Sequence, residues 1–546
     1  MQRPRPTPTA LSADRISRHE RRGEWPHPDL TTALERRTRE TADRVLYVAG
    51  SERLGARELA RRVSRLARGL RGLGVGAGDV VSWQLPNWLE GVVLTFALDR
   101  LGAISNPVLP IYREREVGFI ARQAKSRVLV VPGELRGCDH RALARAVAAE
   151  APDLEHVLVA RAEPAAGQRS FEALSEEGED RDGATPPGPH DVSALFYTSG
   201  TTSDPKGVMH TPSTLGAFQH VQFANAGHDR DAVGIVWFPL THIGGICAFG
   251  SSPVLHGTRA VFLEQFDPDT ALELIEREGV TSAGGPTPIL QALLATPGFS
   301  RERVRSVRIA GLGATDVPPE LMRELGERLG AFVFRSYGMT ECPMATAGRR
   351  GDPDDALVGT DGRPSSGVTV RVVDDAGREL PAGSEGEVEL FGPQLCVGYL
   401  DPALSREAFT ADGFLRSGDL AVVDERGFVR ITGRKKDVII RKGENLSAKA
   451  IEDELHEHPS IADAAVIGVP DRASGERVCA CVVVRPDGAA PTLDELRAFM
   501  RERGVMAQKI PEQLEVVGEL PRTATGKVKK HELRARFAPA PAGRVS

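Results

Sequence analysis

The chain has 546 residues, three or four domain-lengths at roughly 150 residues each, with 41% hydrophobic and 26% charged residues, an ordinary soluble globular composition. Sixty-nine Lys and Arg against 75 Asp and Glu leave a formal net charge of −6, which gives no whole-protein electrostatic reason to bind DNA or RNA. Six cysteines are too few for a disulfide scaffold and show no CxxC or Cys/His zinc spacing, so a reducing compartment is expected.

In chain order, residues 1–27 read as a disordered arm, rich in Pro and Arg and without the apolar core of a secretory signal. Leu59, Val63, Leu66, Leu70 and Leu73 recur at helical spacing, and the turn from Gly74 to Gly78 ends that helix. Val80–Trp83 reads as a strand. The apolar stretch from Trp88 to Ile104 is interrupted by Glu90, Asp99 and Arg100, so it is not expected to span a membrane. Val128–Val131, Ala194–Tyr197, Arg308–Ala310 and Phe332–Phe334 are further short apolar runs with helical patterns between most of them. That alternation predicts parallel α/β units. The last three runs each enter a Gly- or Thr-rich loop, and in open α/β sheets ligands sit beyond the carboxyl ends of strands.

From about Gly359 the texture becomes β- and turn-rich, predicting a small sheet or barrel. A charged segment, GRKKD (Gly433 to Asp437), precedes a separate α+β pattern whose second helix opens on the capping box Thr492–Glu495. Cys479 and Cys481 fall on one face of a strand. The expected organisation is an N-terminal domain over 28–435 and a small C-terminal domain over 436–540, with a boundary near Lys436.

The sharpest segment is TSGTTSDPKG (Thr198 to Gly207), directly after a strand. Hydroxyls and unencumbered N–H groups in such a loop can wrap a polyphosphate, with Lys206 as the compensating charge. It is not a Walker A pattern, and neither GxSxG nor HExxH occurs. Glu341 offers a hard carboxylate oxygen suited to Mg²⁺. WFPLTHIGG (Trp237 to Gly245) is apolar around His242 and carries no acid.

YTSGTTSDPKGV resembles the signature loop of the AMP-forming acyl-adenylate superfamily, which includes acyl- and aryl-CoA synthetases, peptide-synthetase adenylation domains and luciferases. The likeness runs from about residue 28 to 537. WFPLTHIGG, GLGAT (Gly311 to Thr315), SYGMTE (Ser336 to Glu341), SGDL (Ser417 to Leu420), GRKKD and PRTATGK (Pro521 to Lys527) follow in the family's order. The resemblance implies an α/β fold with a large N-terminal domain of parallel α/β subdomains plus a small β-barrel, and a small mobile α+β C-terminal lid hinged at Lys436. It implies ATP or AMP contacts at Thr198, Ser199, Gly200, Thr201, Thr202, Lys206, Gly313, Ala314, Tyr337, Gly338, Thr340, Asp419, Arg434 and Lys527. Lys527, Thr340, Glu341 and His242 take the catalytic roles, and Glu341 the metal. Trp237, His242, Gly284 and Gly285 line the acyl pocket, and Gly443 the passage for CoA. GLGA stands where many relatives read GGA-like, which places Leu312 near the adenine or acyl contacts.

The implied activity is that of a carboxylate–CoA ligase using ATP, Mg²⁺ and CoA. Local texture is similar to ligases of medium-chain, alicyclic and aromatic acids. Two alternatives stand beside it: an acyl- or aryl-AMP ligase loading the phosphopantetheine of a separate carrier protein, and a non-catalytic nucleotide-binding relative. The expected setting is cytoplasmic, as a monomer or homodimer without nucleic-acid or integral-membrane partners.

Overall fold

The computed structural model describes residues 5–25, 29–176, 178, 183–198, 205–225, 227–313, 317, 319–441, 444–471, 475–486, 488–503, 505–523 and 526–537, with backbone alone at 444, 445 and 475. A seven-stranded sheet runs in the order Lys206–His210, Ala194–Thr198, Ile104–Pro107, Val80–Trp83, Val128–Pro132, His156–Ala160 and Arg169–Ser170. Its pairs are parallel except the first, a hairpin in which Thr198 faces Lys206. The helix Ala56–Gly72 buries Leu59, Val63, Leu66 and Leu70 on one face, as its spacing requires. The helix Leu89–Leu101 lies inside the core. Its one buried acid, Asp99, accepts from the N–H and hydroxyl of Thr31 at 2.9 and 2.7 Å.

A second sheet carries Glu52–Gly55, Val45–Ala49, Arg259–Phe262 and Val233–Val236 in that order. Single bridges from Gly234 to Ser282 and from Ser282 to Ile309 join it to the parallel pair Ile309–Leu312 and Phe332–Tyr337. The β-rich region is a four-stranded antiparallel meander, Thr369–Val373, Glu385–Phe391, Leu415–Val423 and Val429–Arg434. After the short 3-10 turn Lys435–Asp437, a separate sheet begins at Val438–Arg441 and is flanked by the helices Ala448–His456, Leu493–Glu502 and Lys530–Phe537. Thr492 and Glu495 form the expected capping box. Cys479 and Cys481 are fully buried in one apolar cluster of this sheet.

The N-terminal arm departs from expectation. Ala13–Arg21 is a helix capped by Ser12, and the indole N–H of Trp25 donates to the carbonyl of Pro393 at 2.9 Å. Composition suggested disorder because the segment is rich in Pro and Arg. Its docking instead uses backbone and guanidinium hydrogen bonds, which a hydropathy pattern does not register. No helix among the described residues is long and apolar enough to cross a membrane.

Candidate active site

One cleft, about 1930 Å³ in volume, opens between the carboxyl ends of the parallel strands and the C-terminal sheet. Thr198 and Lys206 reach it from the two arms of the hairpin. Ser199, Gly200, Thr201 and Thr202 lie outside the described residues, as do Ala314 and Gly443. The Lys206 ammonium sits 5.7 Å from the centre of the Tyr399 ring, within the range of a cation–π contact.

The strand Phe332–Tyr337 ends in a tight turn at the cleft. Gly338 is packed so closely that a Cβ there would stand 2.4 Å from the Met344 backbone nitrogen. The turn presents Thr340 and Glu341. His210 Nε2 lies 2.8 Å from the Thr340 carbonyl, and burial pushes the His210 pKa down to about 4. A neutral ring with its proton on Nε2 therefore anchors the turn. Glu341 is 7% exposed, and its Oε1 accepts from the Tyr399 hydroxyl at 2.7 Å.

Asp419 and Arg434 face each other across adjacent strands. Arg434 Nε lies 2.9 Å from Asp419 Oδ1, and the Tyr337 hydroxyl donates to Oδ2 at 2.7 Å. Burial and then the Asp419 charge hold the Tyr337 pKa well above its ordinary value, so the phenol remains a donor. Three residues from three motifs are thus locked together at one wall.

Gly284 and Gly285 line the cleft, and a Cβ on Gly284 would stand 2.6 Å from the Gly311 carbonyl oxygen. Gly313 lines it as well. Two expectations fail here. Trp237 is 3% exposed, sits in the hydrophobic core and donates its indole N–H to the Gly284 carbonyl at 2.8 Å; its neighbour Phe238 lines the cleft instead. Leu312 is fully buried in the same core, so its side chain packs away from the cleft. Both corrections follow from alternation along a strand end, which puts consecutive side chains on opposite faces.

His242 caps the short helix Ile243–Gly245 by accepting from the Gly244 N–H at 3.1 Å through Nδ1. Burial first, and the Lys527 charge second, push its pKa down to about 4. The ring is neutral at neutral pH, with its proton on Nε2. Lys527 follows a turn closed by Thr523 N–H to Lys527 carbonyl at 2.7 Å and by Lys527 N–H to Thr523 Oγ1 at 3.1 Å. Burial and then Arg434 lower the Lys527 pKa, while Asp419 and Glu341 raise it. Lys436 lies in the 3-10 turn and lines the same cleft; burial, then Arg434, lowers its pKa, and Lys206 adds to the effect. Four cations from three motifs, Lys206, Arg434 with Lys436, and Lys527, crowd one site, a field that suits a polyphosphate.

Phe238 was read from WFPLTHIGG as apolar lining and does line the cleft, whereas His210 and Tyr399 were missed, because they act on groups more than 50 residues away and leave no local pattern.

A family model described as AMP-binding enzyme matches residues 34–400, and the model of its C-terminal domain matches 450–527. The chain belongs to the AMP-binding enzyme family. It is 32% identical over 529 residues to a medium-chain fatty-acid–CoA ligase of Escherichia coli strain K12, covering 96% of this chain and 93% of that one. It is 32% identical over 519 residues to a 2,3-dihydroxybenzoate-AMP ligase of Bacillus subtilis strain 168, covering 94% and 95%. The crystal structure of ATP-bound MatB from Rhodopseudomonas palustris superposes with a TM-score of 0.85 at 28% identity, covering 93% of this chain and 99% of that one. The fold and the family define an adenylate-forming ligase that uses ATP.

Proposed function

We propose that the chain is a carboxylate–CoA ligase acting on an uncharged aromatic, alicyclic or medium-chain acid. The observation that carries this is the convergence of Lys206, Arg434, Lys436, Lys527 and Glu341 on one cleft that Phe238, Phe249 and Phe334 also line, with Asp419 paired to Arg434 behind it. In the first half-reaction a carboxylate oxygen bonds to the α-phosphorus of ATP as the bond to pyrophosphate breaks. Two anions meet, so positioning and charge neutralisation do most of the work. Lys527 supplies the ammonium at that meeting point, and Lys206 holds the leaving phosphates with the loop that precedes it. Thr340 contacts the α-phosphate, and Asp419 accepts from the ribose hydroxyls while Tyr337 covers the adenine. Neutral His242 offers its Nε2–H to the substrate carboxylate without adding charge.

Glu341 has one carboxylate oxygen engaged by Tyr399, and the other suits a Mg²⁺ carried in by the nucleotide, where it would neutralise phosphate charge. No cluster of three or more His, Cys, Asp or Glu able to hold a metal occurs among the described residues, and an ion that arrives with phosphate ligands needs none.

In the second half-reaction a thiol gives up its proton, its sulfur bonds to the acyl carbonyl and AMP leaves. Lys527 must first withdraw, and Lys436 is the proposed hinge for the domain beginning there. Phe238, Phe249 and Phe334 line the cleft, and no carboxylate lies in Trp237–Gly245 to meet an ammonium group, which favours an uncharged acid over an amino acid. The likeness to an AMP ligase, whose name carries no CoA, favours a second reading, in which the acceptor for the acyl- or aryl-AMP is the phosphopantetheine of a separate carrier protein.

Carboxylate-dependent pyrophosphate exchange tests the first half, with hydroxylamine trapping across a panel of acids. CoA-dependent thioester formation then separates the two acceptors. ATP binding without exchange for any acid would leave only a nucleotide-binding relative.

A further inference from the structure

Residues 5–25 precede the part of the chain that the family model matches, yet they press on the back of the site. Arg15 is 4% exposed and spends its guanidinium on carbonyl oxygens: Nη1 donates to Cys396 at 2.9 Å and to Ala10 at 3.0 Å, and Nη2 donates to Leu395. Thr9 and Ala10 donate their N–H groups to the Val397 carbonyl, both at 2.9 Å. The Thr9 hydroxyl lies 2.7 Å from Ser405 Oγ and 3.2 Å from the Tyr399 carbonyl. Contact is so close that a Cβ on Gly398, whose φ is +110°, would stand 2.0 Å from Thr9 Oγ1.

The other side of this short segment faces the cleft. The Cys396 N–H donates to the Glu341 carbonyl at 2.7 Å, and the Leu400 N–H donates to the Gly207 carbonyl at 2.8 Å. The Tyr399 hydroxyl holds Glu341 Oε1, and its ring lies under Lys206. The six residues from Leu395 to Leu400 are thus gripped from outside by the arm and from inside by Glu341 and the phosphate hairpin. Burying a guanidinium against neutral carbonyls costs solvation that a surface arginine would keep, and burial pulls the Arg15 pKa down to about 10. The return on that cost is a fixed carbonyl row where backbone drift would move Glu341.

We propose that Arg15 is a positioning residue for the Glu341 carboxylate, acting through Cys396 and Tyr399, so that the N-terminal arm is part of the metal–nucleotide site; this rests on the reading of Glu341 given above. The test is calorimetric titration of a non-hydrolysable ATP analogue, with and without Mg²⁺, into wild type, Arg15→Ala, Arg15→Lys, Thr9→Val and Glu341→Gln. Groups that orient a ligand typically shift affinity 10–100-fold, so Arg15→Ala is expected to weaken Mg²⁺-dependent binding about tenfold. Metal-free binding stays as in wild type, and Arg15→Lys recovers part of the loss. Thr9→Val loosens the same segment from a second point and moves binding the same way by less, which keeps the test open where Arg15→Ala does not fold. A lower melting temperature with unchanged Mg²⁺-dependent binding in Arg15→Ala or Thr9→Val overturns the proposal, as does equal weakening with and without metal. Glu341→Gln distinguishes the levels. Unchanged metal dependence there removes the reading of Glu341 and this inference with it, whereas loss in Glu341→Gln alone removes only the inference.

Discussion

Lys527 and His242 meet in the cleft as a cation and a neutral ring, and their roles separate in the pH profile. The proton that His242 lacks at its Nδ1 is replaced by the Gly244 N–H, and its pKa of about 4 keeps the ring neutral across the range where a free imidazole would titrate. The pH profiles of kcat/KM for wild type and His242→Gln should therefore have the same shape between about pH 6 and 8. An inflection there that vanishes in the variant would show that His242 changes charge during turnover. Lys527→Ala should lower adenylate formation about 10²–10³-fold, the usual cost of removing one transition-state charge partner. Pyrophosphate exchange at its normal rate in that variant would end the proposed role. That Lys527, Glu341 and Arg434 come together at one cleft was legible through the family's motifs, in which each of them stood. Trp237 was misplaced because a Trp-Phe pair at a strand end gives no sign of which ring faces the ligand. Arg15 was illegible for another reason. Its partners are backbone carbonyls about 380 residues away, and a carbonyl has no letter in the sequence.

Among the elements, the proposed mechanism places the two half-reactions on the turn after Phe332–Tyr337 and on the 3-10 turn at Lys435–Asp437. Gly338→Ala would force a Cβ to within 2.4 Å of a backbone nitrogen, and overpacking against backbone costs about 1–3 kcal/mol. Its urea midpoint should drop, and ATP should bind more weakly because Thr340 and Glu341 move with the turn; a variant with wild-type nucleotide affinity would show that the turn tolerates displacement. The proposed hinge makes a different demand. Lys436 lies between Arg434 at φ −125° and Val438 at φ −64°, so reorienting the lid needs freedom about this turn. Proline at 436 fixes φ near −65°. Lys436→Pro is expected to match Lys436→Ala, which removes the same cation, in pyrophosphate exchange while thioester formation falls steeply below it, and equal loss of both activities relative to Lys436→Ala would place the hinge elsewhere. The strand Phe332–Tyr337 was readable as a short apolar run, whereas the strands that flank Lys435–Asp437 were hidden in a segment that reads as charged. The docking of Ala13–Arg21 was not readable, since a segment with few apolar residues can be held by hydrogen bonds that leave no hydrophobic pattern.

At the scale of the whole molecule, buried neutral histidines set the response to acid. Burial holds His210, His242 and His256 near a pKa of about 4, below the ordinary 6.5. Between those values the unfolded chain binds protons that the folded chain refuses, so stability falls as pH falls. Asp99 works in the opposite direction. Its pKa is raised by burial to about 6 from 3.8, so over that window the folded form holds the extra proton and gains as pH falls. Three histidines outweigh one carboxylate, and the urea midpoint should decrease steadily from about pH 7.5 to about pH 5. His256 allows the cause to be isolated, because its ring is stacked on Phe223 with centroids 4.3 Å apart and, unlike His242, it does not line the cleft. Its buried Nε2 has no hydrogen-bond partner among the described residues. His256→Phe keeps the stack and removes the titration. That variant should show a shallower loss of stability with acid and unchanged pyrophosphate exchange at neutral pH. A slope identical to wild type would mean that the acid response resides in groups other than the buried imidazoles.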